Sequence, residues 1–195
     1  MDINICLFDD FETLDVFGPV EIFGNLKEYC NIKYYSINGG IVTSRHGTKI
    51  LTETLDLADD KGILFLPGGY GVRQLIIDEN FIDKIRSLAE NAPYCLTVCT
   101  GSAILAKTGL LKNKNATSNK IAFDWVKSLD PEVNWKSSAR WVVDGKYYTS
   151  SGVSAGMDMS LGFIEDQLGN QKAFEVANFI EYTWNSNKDD DPFAK

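Results

Sequence analysis

Short, mainly apolar runs at residues 3–8, 63–66 and 95–98, with a further strand over 32–37, are separated by segments of helical periodicity, and this alternation constrains the fold. Runs that are apolar throughout, with no in-out alternation, belong to strands covered on both faces. Between them, Leu14, Phe17, Ile22 and Leu26 mark a helix over 14–26, with Pro19 placed near its first turn, where proline is tolerated. Phe81, Ile85, Leu88 and Ala89 make one face of a second helix, and residues 101–108 read as a third. Strands alternating with helices predict an α/β fold with a mainly parallel sheet sandwiched by helices.

After Gly109 the pattern changes. Residues 121–129 read as a short helix, and 133–135, 141–143 and 147–149 as β-structure, with Asp144-Gly145 as a hairpin turn. Met157, Leu161, Ile164 and Leu168 form a helical stripe, and Ala173, Ala177, Ile180 and Trp184 form another. No repeat or linker interrupts the 195 residues, so residues 1–184 are expected to be one domain. Residues 185–195, with Asp189, Asp190 and Asp191, have no periodicity and are expected to fray.

Charge and composition narrow the function. A net charge of −8 argues against a nucleic-acid partner, since phosphate contacts need clustered Lys and Arg. No apolar run approaches the length of a membrane span, and the start Met1-Asp2-Ile3-Asn4-Ile5 lacks the basic region of a secretory signal. A cytoplasmic protein is the expectation, with no membrane partner. Cys6 and Cys95 lie inside apolar runs and read as core residues, and Cys30 can be buried or half exposed. Without a C-x-x-C pair, and with His46 the one histidine, neither a metal site nor a disulfide is expected. His46 reads as an exposed loop residue in a polar turn between two short strands.

In open α/β sheets the ligand crevice lies beyond the carboxyl ends of the strands. Three points fall there: the acidic turn with Asp9, Asp10, Glu12 and Asp15; the loop Pro67-Gly68-Gly69-Tyr70-Gly71; and Val98-Cys99-Thr100-Gly101-Ser102. Cys99 ends a strand at the mouth of a helix, where unpaired N–H groups and the macrodipole favour thiolate. The Thr100 amide with one from the glycine loop would form an oxyanion hole. On position alone, Cys99 reads equally as a nucleophile or as a buried thiol. Asp15 lies between Leu14 and Val16, an apolar setting that raises a carboxyl pKa and suits it to donate a proton. An acid near a helix start can also be a mere dipole partner, as can Glu21, while Asp9, Asp10 and Glu12 read as a solvated cluster.

Two motif matches fail. Gly152-Val153-Ser154-Ala155-Gly156 fits G-x-S-x-G, but no histidine follows the serine, so these small residues more simply allow close approach beside the Cys99 pocket. Gly68-Gly69-Tyr70-Gly71 lacks the spacing of a dinucleotide fingerprint.

Leu66-Pro67-Gly68-Gly69, followed by Val98-Cys99-Thr100-Gly101-Ser102, resembles the ThiJ/PfpI superfamily, related to class I glutamine amidotransferase domains. Leu14-Asp15-x-x-Gly18-Pro19-x-Glu21, residues 99–111 and residues 152–158 look most like its isonitrile hydratase branch. The resemblance covers about residues 1–184 and implies a flavodoxin-like, class I glutamine amidotransferase-like fold. It implies Cys99 as nucleophile, Asp15 as the acid bonded to its sulfur, Thr100 beside the nucleophile, and Gly68 and Gly69 as the loop facing substrate. It further implies a small-molecule substrate, a homodimer, and no cofactor or metal. Asn119 stands where the branch carries a histidine. The peptidase branch has His after the cysteine, where this chain has Thr100, so a Cys-His peptidase is not expected. The other chemistries open to such a site are a glyoxalase or deglycase acting on small dicarbonyls, and a cysteine redox sensor without turnover.

Overall fold

The computed structural model describes residues 1–194, so Lys195 of the acidic tail lies outside the described residues. The chain runs β1 (Asp2–Cys6), α1 (Thr13–Gly24), β2 (Asn31–Ser36), β3 (Gly40–Thr43), β4 (Lys49–Thr54) and β5 (Ile63–Leu66). It continues through α2 (Val72–Leu75), α3 (Glu79–Asn91), β6 (Cys95–Thr97), α4 (Gly101–Lys107), β7 (Asn115–Ala116) and α5 (Phe123–Leu129). The last elements are β8 (Asn134–Trp135), β9 (Trp141–Asp144), β10 (Tyr147–Ser150), α6 (Ala155–Leu168) and α7 (Asn170–Phe179).

Eight strands form one sheet in the order β3-β4-β2-β1-β5-β6-β10-β9. The interior pairings are parallel, and the two edges, β3 on β4 and β9 on β10, are antiparallel. The fold is therefore α/β with a mostly parallel central sheet flanked by helices, as the alternation of apolar runs predicts. From β1 the chain moves to β2 on one side and then returns to β5 on the other. That reversal makes a switch point, where the loops after neighbouring strands part and leave a crevice. Cysteines 6, 30, 95 and 99 are all free and buried. On α6, Phe163 meets Phe23, Tyr94 and Tyr148 edge-on at centroid distances of 6.2, 5.2 and 5.1 Å, closing the core between sheet and helices.

Several local expectations are corrected. Pro19 lies inside α1 and not in its first turn. Leu14 and Phe17 face outward, while Asp15, Val16, Gly18, Pro19, Ile22 and Phe23 form the buried face. That face is set by the packing of α1 on α6: a side chain on Gly18 would strike Met157 at 2.6 Å. The β9–β10 hairpin turns one residue later than expected, since Asp144 pairs with Tyr147 and leaves Gly145-Lys146 as the loop. Ile180 and Trp184 fall beyond the end of α7.

The acidic segment after residue 184 does not fray through residue 194. The Asn185 N–H donates to Asp158 at 3.0 Å, the Lys188 carbonyl accepts from Arg140 N–H at 2.7 Å, and Asp191 is buried. The missed signal is a pair of buried cations. Arg140 grips Asp158 at 2.7 Å and reaches Asp191 at 3.5 Å, with Lys120 3.9 Å from the second Asp191 oxygen. Charges that look solvated in composition are neutralised by partners distant in sequence.

Among the described residues no helix is long and apolar enough to cross a membrane, and no three His, Cys, Asp or Glu side chains cluster as metal ligands. Removing a partner from a buried ion pair leaves an uncompensated charge. Arg140→Ala is therefore expected to lower stability by about 3–5 kcal/mol, read from the urea midpoint at unchanged m-value.

Candidate functional site

The site begins with the backbone of Cys99. Thr97 pairs with Leu66 of β5 and with Thr149 of β10, so the end of β6 is clamped on both sides. The Val98 N–H donates to the Leu66 carbonyl and the Cys99 N–H to the Ser151 carbonyl, both at 3.0 Å. The chain then turns sharply: Cys99 sits at φ 57°, in the left-handed region. Its carbonyl accepts from the Ser102 hydroxyl at 3.1 Å and the Ser118 hydroxyl at 3.0 Å. A non-glycine residue held there stores strain of about 1–3 kcal/mol, and these bonds hold it. A side chain on Gly101 would collide with the Leu66 carbonyl, so α4 starts hard against the end of β5.

Asp15 comes from the buried face of α1 and is fully inaccessible. One carboxyl oxygen accepts the Gly68 N–H at 2.9 Å. The other has no hydrogen-bond partner, and the carboxyl lies beside the Cys99 side chain, close enough to feel it. Burial, with help from the nearby Glu12 charge, pushes Asp15 up to about 8, although the Gly68 N–H and the Cys99 contact pull the other way. Gly68 is wedged in place: a β-carbon there would lie 2.6 Å from the Thr100 nitrogen and 2.9 Å from Asp15.

Two expectations about donors are corrected here. The Gly68 amide is committed to Asp15 and the Gly69 amide to the Thr100 hydroxyl at 3.1 Å, so the glycine loop positions side chains and does not present a free oxyanion hole. The groups that favour the thiolate lie instead around the sulfur: the backbone N–H groups of Thr100 and Val153 and the side chain of Asn119. Second, burial works against the thiolate that the helix start would favour at Cys99. It pushes the thiol pKa up, the Asp15 carboxylate adds to that, and the three donors offset only part of the rise. Asp15 and Cys99 lose their protons as a pair.

Asn119 is oriented by its own neighbours. Its side-chain oxygen accepts the N–H groups of Ile121 at 2.9 Å and Ala122 at 3.0 Å, which leaves its NH₂ for the sulfur. It can donate a hydrogen bond there but cannot exchange protons as an imidazole would. The remaining candidates lie apart from the sulfur. His46 is exposed and bonds Thr13 at 2.9 Å, with Glu12 at 3.7 Å. Glu12 is not freely solvated, because it also pairs with Arg45 at 3.1 Å. Asp9, Asp10 and Glu21 are exposed, and Ser154 accepts from Arg140 at 3.2 Å.

A pocket of about 500 Å³ lies next to this arrangement, lined by Asn119, Lys120, Ile121, Ser151, Gly152, Val153, Ser154 and Phe193. Of these, Ser151 accepts the Cys99 N–H, and Asn119 and Val153 come close enough to the sulfur to favour its ionised form.

A buried acid–thiol pair on a strained strand-to-helix turn, in an α/β sheet of this order, matches a known class: the DJ-1/PfpI family model covers residues 1–166, and the chain belongs to that family. Isonitrile hydratase of Pseudomonas putida is 32% identical over 183 residues, 93% of this chain and 78% of that protein. Protein DJ-1 homolog A of Arabidopsis thaliana is 30% identical over 139 residues, 68% of this chain and 34% of that one. Among solved structures, a ThiJ/PfpI family protein from Pseudomonas syringae superimposes with a TM-score of 0.84 at 28% identity, covering 98% of this chain and 77% of that one.

Sequence reasoning brought together Cys99, Asp15, Thr100, Gly68 and Gly69 but missed Val153, Ser118 and Phe193. Val153 donates through its backbone, which leaves no mark in side-chain type. The proximity of 152–156 to Cys99 was legible from its small residues alone. A hydrogen bond to a charged acceptor contributes about 1.5–3 kcal/mol, so the isosteric Asn119→Leu is expected to slow alkylation of Cys99 at least roughly 10-fold at pH 8. Iodoacetamide kinetics with site assignment by mass spectrometry would check this.

Proposed function

We propose that the protein is a cysteine-dependent enzyme that hydrates isonitriles to N-substituted formamides. One observation carries this reading: a fully buried carboxyl, held by the Gly68 N–H, lies beside the Cys99 thiol with no imidazole near it. Similarity to isonitrile hydratase supports the same reading.

The reaction needs a nucleophile and a proton donor at the same carbon. With one proton between Cys99 and Asp15, the sulfur attacks the terminal carbon of the isonitrile, and the Asp15 carboxyl protonates that carbon. A thioimidate results, with Asp15 left as a carboxylate. Asp15 then takes a proton from water as its oxygen adds to the thioimidate carbon. The new hydroxyl proton passes to nitrogen, the C–S bond breaks, and the formamide leaves. Cys99 and Asp15 are back in their starting state, and water has been added across the isonitrile carbon.

The donor arrangement favours this chemistry over attack on a carbonyl. A carbonyl substrate develops charge on oxygen and calls for donors aimed at that oxygen. Here the Gly68 and Gly69 amides are already engaged, while the first step on an isonitrile places charge on carbon, where the Asp15 proton goes.

Cys99→Ala is expected to abolish hydration of alkyl isonitriles, and unchanged formamide production would remove the proposal. Asp15→Asn keeps the hydrogen-bonding shape but cannot transfer a proton, and is expected to lower kcat about 10²–10⁴-fold. The pH dependence follows from the pair. Below about 8 both groups hold their protons and thiolate is scarce, so activity rises as pH increases through about 8. Formamide formation followed by chromatography across that range would check the sign, and comparison with methylglyoxal would separate a glyoxalase.

A further inference from the structure

Phe193 stands out in the pocket that Asn119 and Val153 line beside Cys99, because it comes from the acidic segment and not from the loops around the sheet. Its position is fixed two residues earlier. The Asp191 side chain is wholly buried between Arg140, 3.5 Å away, and Lys120, 3.9 Å away. The Asp191 N–H donates to the Ser138 carbonyl at 2.8 Å. The chain then folds back over Asp191: the Phe193 N–H donates to the Asp191 carboxylate at 3.0 Å, and the Ala194 N–H to its carbonyl at 2.9 Å. This turn delivers the Phe193 ring to the pocket that Asn119 and Val153 share with the sulfur.

Single exposed apolar side chains are ordinary, but apolar groups gathered around one groove mark a binding site. Phe193 is 66% exposed and Ile121, on the same pocket, is 95% exposed. The one cation in the lining is turned away from the pocket's chemistry, since the Lys120 amine donates to the Ala139 carbonyl at 2.7 Å and the Thr117 hydroxyl at 3.0 Å. An anionic substrate would find no free charge there. An uncharged, apolar group would cover Phe193, Ile121 and Val153 together.

We propose that Phe193 is a specificity-determining residue that selects isonitriles with bulky apolar N-substituents, and that Asp191 is the positioning residue that holds it in the wall of the pocket next to Cys99. The proposal rests on the hydratase reading for its substrate, but the wall itself does not depend on that chemistry. Two pairs of probes keep them apart: cyclohexyl against methyl isonitrile for turnover, and N-benzyl-iodoacetamide against iodoacetamide for alkylation of Cys99.

The wild-type protein is expected to prefer the bulky member of each pair. Phe193→Ala is expected to reduce the bulky-to-small ratio of kcat/KM about 10-fold, and the alkylation ratio in the same direction. Asp191→Ala, with its melting temperature measured alongside, is expected to reduce both ratios in the same way. A Phe193→Ala ratio within about two-fold of wild type, or an equal loss on both members of a pair, would overturn the proposal. If no isonitrile turns over while the alkylation ratio falls, the hydratase reading fails and the wall stands. If turnover is present and neither ratio moves, the wall fails and the hydratase reading stands.

Discussion

The left-handed backbone at Cys99 is the constraint on which the site depends, because it aims the sulfur out of the sheet and into the crevice. A strand that continued past Thr97 would bury the thiol between helices, as happens to Cys95 two residues earlier on the same strand. The turn is held from every side by groups with fixed positions: the carbonyls of Leu66 and Ser151, and the hydroxyls of Ser102 and Ser118. β5 and β10 are parallel neighbours of β6, so sheet register sets the geometry of the proposed nucleophile. The chemistry is thereby built on strand ends, the most rigid part of the molecule.

Asp15 faces the opposite problem. Its carboxyl must be close to the sulfur, dry enough to hold a proton and still oriented. Burial supplies the first two conditions, and the single Gly68 N–H supplies the third without enough donors to restore full ionisation. A carboxyl more generously hydrogen-bonded would stay charged and repel the thiolate beside it. The absence of a β-carbon at Gly68 is what lets Asp15 and Thr100 approach from either side.

Most of this architecture was legible because its signals are local. The apolar run 63–66 matches β5 residue for residue, and the small residues after Cys99 mark the start of α4 where the structure has it. Asp15 stood out as an acid among apolar neighbours, which is the physical condition for its raised pKa. What could not be read were the interactions that join distant residues. Leu14 and Phe17 counted as core by hydrophobicity, yet the face of α1 that meets α6 is chosen by Gly18 and Met157. Thiolate stabilisation was inferred from a helix start alone, and burial outweighs it. Asp191 looked solvated because nothing in its own segment announces Arg140 and Lys120.

Val153 draws out one more consequence. It holds φ 46°, a conformation glycine adopts freely and a β-branched residue resists. Its N–H reaches the Cys99 sulfur from that conformation, so the backbone geometry alone would be met more cheaply by glycine. The isopropyl group is half-buried in the pocket wall. A glycine there would relax the loop and widen the cavity at the same time. Local backbone rigidity and pocket shape are thus two readings of a single side chain, and neither can be tuned without moving the other.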